Sequence, residues 1–265
     1  MSASGVYNGT NIGVSNGVVP GNSPGVGNGV ATENFKTGIV TSGLVFNADA
    51  NVFSSYPKTG STWRDLTGNV AGNTLFNSPT YNNVKVGSLT FNNTNQYANF
   101  GNATVLGFTI ASKFSVSIWL KTTFALGRNV FSKQLNSGAF TGWGLGTNSS
   151  GAYQVFLYSN TGIIVDFPVA YNDNQWHHVG FTYEGNSLAA GITLYHNGQR
   201  VTGTVMQDAI GANNIVSAAN VQFNGRAGTN NLWSGSVSCV QVYNRSLPPG
   251  EMMQNFIAQK TRFGY

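Results

Sequence analysis

The chain has 265 residues, of which only 8% are charged against a globular average of about 25%. Glycine and asparagine supply 34 residues each while helix-filling residues are scarce, which excludes a helical bundle, a coiled coil and a helix-layered α/β sheet. The net charge of +5 reflects having just eight acids; seven lysines and six arginines are scattered rather than clustered, so a nucleic-acid partner is not expected.

Residues 1–40 carry repeated Asn-Gly and Pro-Gly steps and no aromatic between Tyr7 and Phe35, too little to build a core. They read as an extended arm, an assembly element that docks on another chain through Val6, Tyr7, Ile12, Val14, Val18 and Val19. A Gly-x-Ser-x-Gly match at Gly21-Asn-Ser-Pro-Gly25 lies inside this arm. It has no strand before it and no helix after it, so it is not a nucleophile elbow. The opening Met1-Ser-Ala-Ser-Gly-Val6 has neither a basic nor an apolar leader region, so synthesis in a cytosol is expected. No run is apolar enough for a membrane span, and no membrane partner is expected.

Residues 41–265 form the second unit. Strand signals recur about every ten residues: 44–46, 88–91, 97–100, 114–120, 129–132, 143–145, 153–158, 162–167, 177–183, 192–196, 221–223 and 236–243. Phe114, Val116, Ile118 and Leu120 alternate with Ser115, Ser117 and Trp119, so the first set should face a core. Asn197-Gly198 is the strongest hairpin turn. About a dozen short strands predict an all-β, two-sheet antiparallel sandwich. Pro249 at a first helical position, Glu251 in the first turn and Lys260 and Arg262 near the end predict one helix over about 249–260. Cys239 sits in a strand pattern and reads as a buried small hydrophobe.

Several strings carry a resemblance. Gly43-Leu-Val-Phe-Asn-Ala-Asp49, Thr62-Trp-Arg-Asp-Leu-Thr-Gly-Asn69, Trp176-His-His-Val-Gly-Phe-Thr-Tyr183, Thr193-Leu-Tyr-His-Asn-Gly198 and Gly235-Ser-Val-Ser-Cys-Val-Gln-Val-Tyr243 resemble the laminin-G-like, concanavalin A-like jelly roll. The ending from Glu251 to Gly264 is similar to the version found in bacteriophage virion proteins. The resemblance spans about 43–264. It implies a jelly-roll sandwich and a non-enzymatic structural protein of a virus particle, a head-decoration or tail and fibre surface component. Such a protein would reside in the virion after assembly in the host cytoplasm. Its expected partners are other virion proteins, reached through the arm, and further copies of itself in a homo-oligomer or multi-copy array. The alternative is a host-attachment lectin that binds cell-surface glycan.

The chemistry-bearing residues weigh against catalysis. Glycan hydrolysis commonly uses two carboxylates about 5–10 Å apart, and the Glu-x-Asp-x-x-Glu strand of glycanases with this fold is missing here. Asp166 and Asp173 are separated by Pro168 and a loop. His177 and His178 are adjacent and point to opposite faces of a strand, so they cannot share a metal. Trp176 and His178 read as framework residues, and His196 as exposed. In the family, calcium is held by the aspartate of an Asp-x-Ser-Gly-Asn motif and by acids of a late strand. Asp65-Leu-Thr-Gly-Asn69 keeps the first, but Ser238 and Cys239 stand where the acids would be. No metal or other cofactor is expected, and Asp65 should bond the amides of Gly68 and Asn69. Sugar stacking needs an exposed ring among polar groups, and Trp63, Trp143, Tyr171 and Trp233 are the candidates.

Overall fold

The alternating pattern builds a sandwich in the computed structural model, which describes residues 38–84 and 86–265. The expected arm anchors Val6, Tyr7, Ile12, Val14, Val18 and Val19, and the Gly21–Gly25 match, lie outside the described residues. In chain order the strands are β1 (Leu44–Asp49), β2 (Thr74–Phe76), β3 (Thr80–Asn82), β4 (Ser88–Phe91), β5 (Tyr97–Asn99), β6 (Phe114–Lys121), β7 (Arg128–Gln134) and β8 (Gly142–Thr147). Then come β9 (Ala152–Ser159), β10 (Thr161–Ala170), β11 (His177–Tyr183), β12 (Ile192–His196), β13 (Gln199–Val201), β14 (Thr204–Asp208), β15 (Val221–Phe223) and β16 (Gly235–Tyr243), followed by the helix α1 (Pro249–Phe263). One sheet has the order β13-β12-β11-β6-β16-β4-β3, with β1 also pairing β16; the other runs β14-β10-β9-β8-β7-β15-β5-β2. Every strand pair is antiparallel, so the expected fold class stands.

Phe114, Val116, Ile118 and Leu120 face the core between the sheets, as their alternation requires. Their outward neighbours are buried as well, because α1 lies across the back of β6. The Phe263 ring stacks on Trp119 at 3.8 Å and Phe256 lies 5.7 Å away. The sandwich unit is thus helix on sheet on sheet. The helix starts at Pro249 as expected but ends three residues later than 260. Gly264, at φ +90°, takes the left-handed cap conformation and its N–H reaches the Lys260 and Thr261 carbonyls. Asn197 and Gly198, at φ +50° and +76°, close the β12–β13 hairpin with the positive angles that a type I′ turn needs. Strands β2, β3 and β14 were not anticipated; they are short, half-exposed edges without a clean alternation.

The sandwich unit takes in residues before 41. Val40 is buried against Tyr195, Tyr243, Leu247 and Met252. Its N–H donates to Asn255 Oδ1 at 2.8 Å and its carbonyl accepts from Tyr243 Oη at 3.0 Å. Gln254 donates to the Gly38 carbonyl. A boundary at 40/41 would cut these contacts, so a shortened chain should begin no later than Gly38. Among the described residues, no helix is long and apolar enough to cross a membrane.

Candidate functional site

Strand β8 reads Gly142-Trp-Gly-Leu-Gly-Thr147, and period-2 geometry sends Trp143 and Leu145 inward and the three glycines outward. Register then lines up three outward rows. Asn129, Gly146, Gln154 and Asp166 form one; Ser132, Gly144, Phe156 and Ile164 the next; Gln134, Gly142, Tyr158 and Gly162 the third. A glycine stripe beside two aromatic side chains makes a trough. A Cβ on Gly144 would sit 2.5 Å from Phe156 Cζ and 2.7 Å from the Phe131 carbonyl oxygen, and one on Gly162 would sit 2.5 Å from Tyr158 Cδ2. Both rings therefore lean over glycines, and any side chain there would push them away.

The trough encloses about 620 Å³ on the outer face of the second sheet, within the 300–1,000 Å³ of small-molecule sites. Five of its lining residues are amides: Asn129, Gln134, Asn148, Gln154 and Asn231. Asn148 Nδ2 and Gln154 Nε2 donate to the two oxygens of Asp166 at 2.7 and 2.6 Å. Asn148 Oδ1 meanwhile accepts from the Ser150 and Ala152 amides, which holds the β8–β9 loop against the trough. Tyr158 is half-buried, and its hydroxyl has no partner among the described residues. Among the described residues Asp166 is the one carboxylate lining the groove.

The residues expected to stack on sugar lie elsewhere. Trp63, Trp143 and Trp233 are at most 1% exposed. Trp143 packs on Phe108 and Phe114 and donates to the Leu106 carbonyl; Trp63 meets Phe100 and Phe223. Tyr171 is 9% exposed and lies stacked on His196 and Tyr153. A ring with both faces covered cannot meet a ligand, so none of the four can stack on sugar as placed. Large rings flanked by glycine are core rings here because the sandwich needs their volume. The better signal was the Gly-x-Gly-x-Gly alternation of 142–146 followed by Phe156 and Tyr158, which reads as an open outward face.

The histidines divide as adjacency requires. His178 lies under α1 with Nε2 2.8 Å from Ser117 Oγ, and His177 lies on the core side. His196 is half-buried rather than exposed: His177 Nδ1 is 2.9 Å from its Nε2, and His177 Nε2 is 2.9 Å from Asp173 Oδ1. Asp173 is thus engaged away from the groove, and the groove is not lined by a second acid to complement Asp166. Cys239 is fully buried, and burial pushes its thiol up to about 12.

Calcium does not fit the Asp65 loop. Oδ1 accepts from the Asn47 and Thr67 amides and Oδ2 from Thr67 Oγ1 and the Val70 amide, at 2.7–3.1 Å. The amides are those of residues 47, 67 and 70 rather than 68 and 69, because the loop folds back over its own carboxylate. Four donors occupy one carboxylate, and Ser238 Oγ, in the late strand, is held by the Arg262 guanidinium. Six to eight oxygens cannot be gathered there. A chelator should leave the melting temperature unchanged, as differential scanning calorimetry would show; a fall of about 5 °C or more would return a metal to this loop.

Comparisons with known proteins agree with this architecture. The chain is similar to Trypanosoma rangeli sialidase in complex with sialic acid (16% identity, TM-score 0.60, 86% of this chain and 35% of the sialidase). It is similar to the binding domain of botulinum neurotoxin serotype D/C (16% identity, TM-score 0.58, 81% and 51%). It is also similar to the binding domain of Paraclostridial Mosquitocidal Protein 1 (16% identity, TM-score 0.56, 81% and 52%). The chain spans about a third of the sialidase and about half of the two toxin domains, and the likeness is one of fold. No curated protein matches the chain in sequence. Residues 92–252 match the laminin-G-like family described as the concanavalin A-like lectin/glucanases superfamily, and with more than half its length inside that match the chain belongs to this superfamily.

Proposed function

We propose that the protein is a non-enzymatic surface component of a virus particle whose sandwich binds glycan in the groove over β8. The observation that carries the glycan half is the trough over β8. Tyr158, half-buried, offers apolar surface at the groove, backed by the buried Phe156, and Asn148, Gln154 and Asp166 converge with hydrogen-bonding groups. Saccharides present this same mixture of apolar faces and hydroxyls. One carboxylate, already accepting two amide donors, does not make the pair that hydrolysis uses. Tyr158→Ala should weaken binding to immobilised oligosaccharides about tenfold or more, a loss of ~1.4 kcal/mol, without moving the melting temperature. Unchanged binding in both Tyr158→Ala and Asn148→Ala would rule the groove out.

The virion half rests on the resemblance of residues 251–264 to phage virion proteins and on the core-poor composition of residues 1–40. Quantitative mass spectrometry of purified particles should find the chain in multiple copies. A chain shortened to begin at Gly38 should melt like the full chain and fail to join particles. Absence from purified particles would overturn this half and leave the glycan reading standing.

A further inference from the structure

Arg226, in the turn after β15, carries its guanidinium over the Phe140 ring, 4.8 Å from the centroid, on the β7 side of the groove. Its Nε donates to Asn136 Oδ1 at 3.0 Å and its Nη1 to Gln134 Oε1 at 2.9 Å. Both acceptors are neutral amides, and they are fixed from behind. Gln134 Oε1 also accepts from Asn129 Nδ2 at 2.9 Å, Gln134 Nε2 donates to the Phe140 carbonyl, and Asn129 Oδ1 accepts from Asn231 Nδ2. A guanidinium has five N–H donors. Two are used, and the other three have no partner among the described residues.

Among the described residues no carboxylate pairs with this cation. The ion pairs among the described residues join Lys113 to Glu184, His177 to Asp173, Arg245 to Glu251 and Arg262 to Asp49. Arg128 lines the same groove, with Nη1 on the Gly127 carbonyl at 2.7 Å and likewise no acid. Asp166 sits three strands from β7, on β10, and is taken up by amides. Partial burial without an anion lowers the basicity of Arg226 from the usual arginine range. A preorganised, half-desolvated guanidinium with free donors gains most from an oxyanion, which it can grip with two parallel hydrogen bonds.

We propose that the groove takes an acidic saccharide, one bearing a carboxylate or a sulfate, and that Arg226 contacts its anionic group. This rests on the glycan-binding reading of the same groove. Calorimetric titration of the full chain should compare 3′-sialyllactose with lactose, and a sulfated with a desulfated chondroitin tetrasaccharide. We expect at least one acidic probe to bind about tenfold or more tightly than its neutral counterpart, and its identity tells carboxylate from sulfate. Arg226→Gln should erase that ratio, and Arg226→Lys should keep part of it. Raising salt from 0.05 to 0.5 M should shrink the ratio as well. Equal binding of acidic and neutral probes, unmoved by Arg226→Gln, would refute the acidic class and spare the glycan reading. Failure of every probe to bind would overturn both.

Discussion

Acidification from pH 7 to about 4 should cost the sandwich several kcal/mol of stability, and His178→Gln should remove a large part of that loss. His178 is fully buried beneath α1, between Trp119 and Phe256. Its Nε2 shares a hydrogen bond with Ser117 Oγ at 2.8 Å, and Nδ1 has no partner among the described residues. A second proton would place a charge and an unpaired donor among aromatic rings. Burial lowers the pKa to about 3, with repulsion from His196 acting the same way, and burial also lowers His196 to about 4. An unfolded histidine titrates near 6.5. Both folded values are depressed, so the stability contribution is complete above pH 6.5 and is lost as pH falls toward 3–4. For His178 alone the full loss is on the order of 4 kcal/mol, a large fraction of a 5–15 kcal/mol fold. Urea unfolding of wild type and His178→Gln at pH 7 and pH 4 reads it directly. Parallel pH dependence in the two proteins would mean that the ring is solvated and the packing of α1 is looser than described.

Removing the guanidinium of Arg262 should destabilise the fold by about 3–5 kcal/mol. Arg262, in the last turn of α1, grips Asp49 of β1 with two hydrogen bonds, at 2.8 and 2.9 Å, and donates to the Val86 carbonyl at 2.7 Å and to Ser238. The side chains are 16% and 9% exposed. The pair therefore ties the helix to both β1 and β16 from a site mostly shielded from water. Arg262→Met would leave the Asp49 carboxylate buried with the Asn51 amide as its remaining donor among the described residues, which is what makes the single change costly. Adding Asp49→Asn to Arg262→Met should recover much of the loss, because the double variant buries no unpaired charge. Denaturant unfolding of the two single variants and the double variant gives the coupling. Additive losses, or a loss under about 1 kcal/mol for Arg262→Met, would show that solvent reaches the pair.

What the chain determines locally was legible in its sequence. Period-2 alternation names most of the strands and the inward side of β6, Asn197-Gly198 names a hairpin, and Pro249 names a helix start, because each depends on residues a few positions apart. Three features waited for the tertiary structure. Trp119 and Ser117 look solvent-facing by alternation, yet α1 returns from residues 249–263 to cover them; a strand pattern tells one face from the other, not whether a third layer follows. Arg262 reads locally as a cation at the negative end of a helix, and becomes the partner of Asp49 only when α1 docks 213 residues later in the chain. The groove gathers Arg128, Gly146, Tyr158, Asp166 and Arg226 from strands and turns scattered over about a hundred residues. Their convergence is set by antiparallel register across β10, β9, β8, β7 and β15, and register comes from closing both sheets over a shared core rather than from any local run of residues.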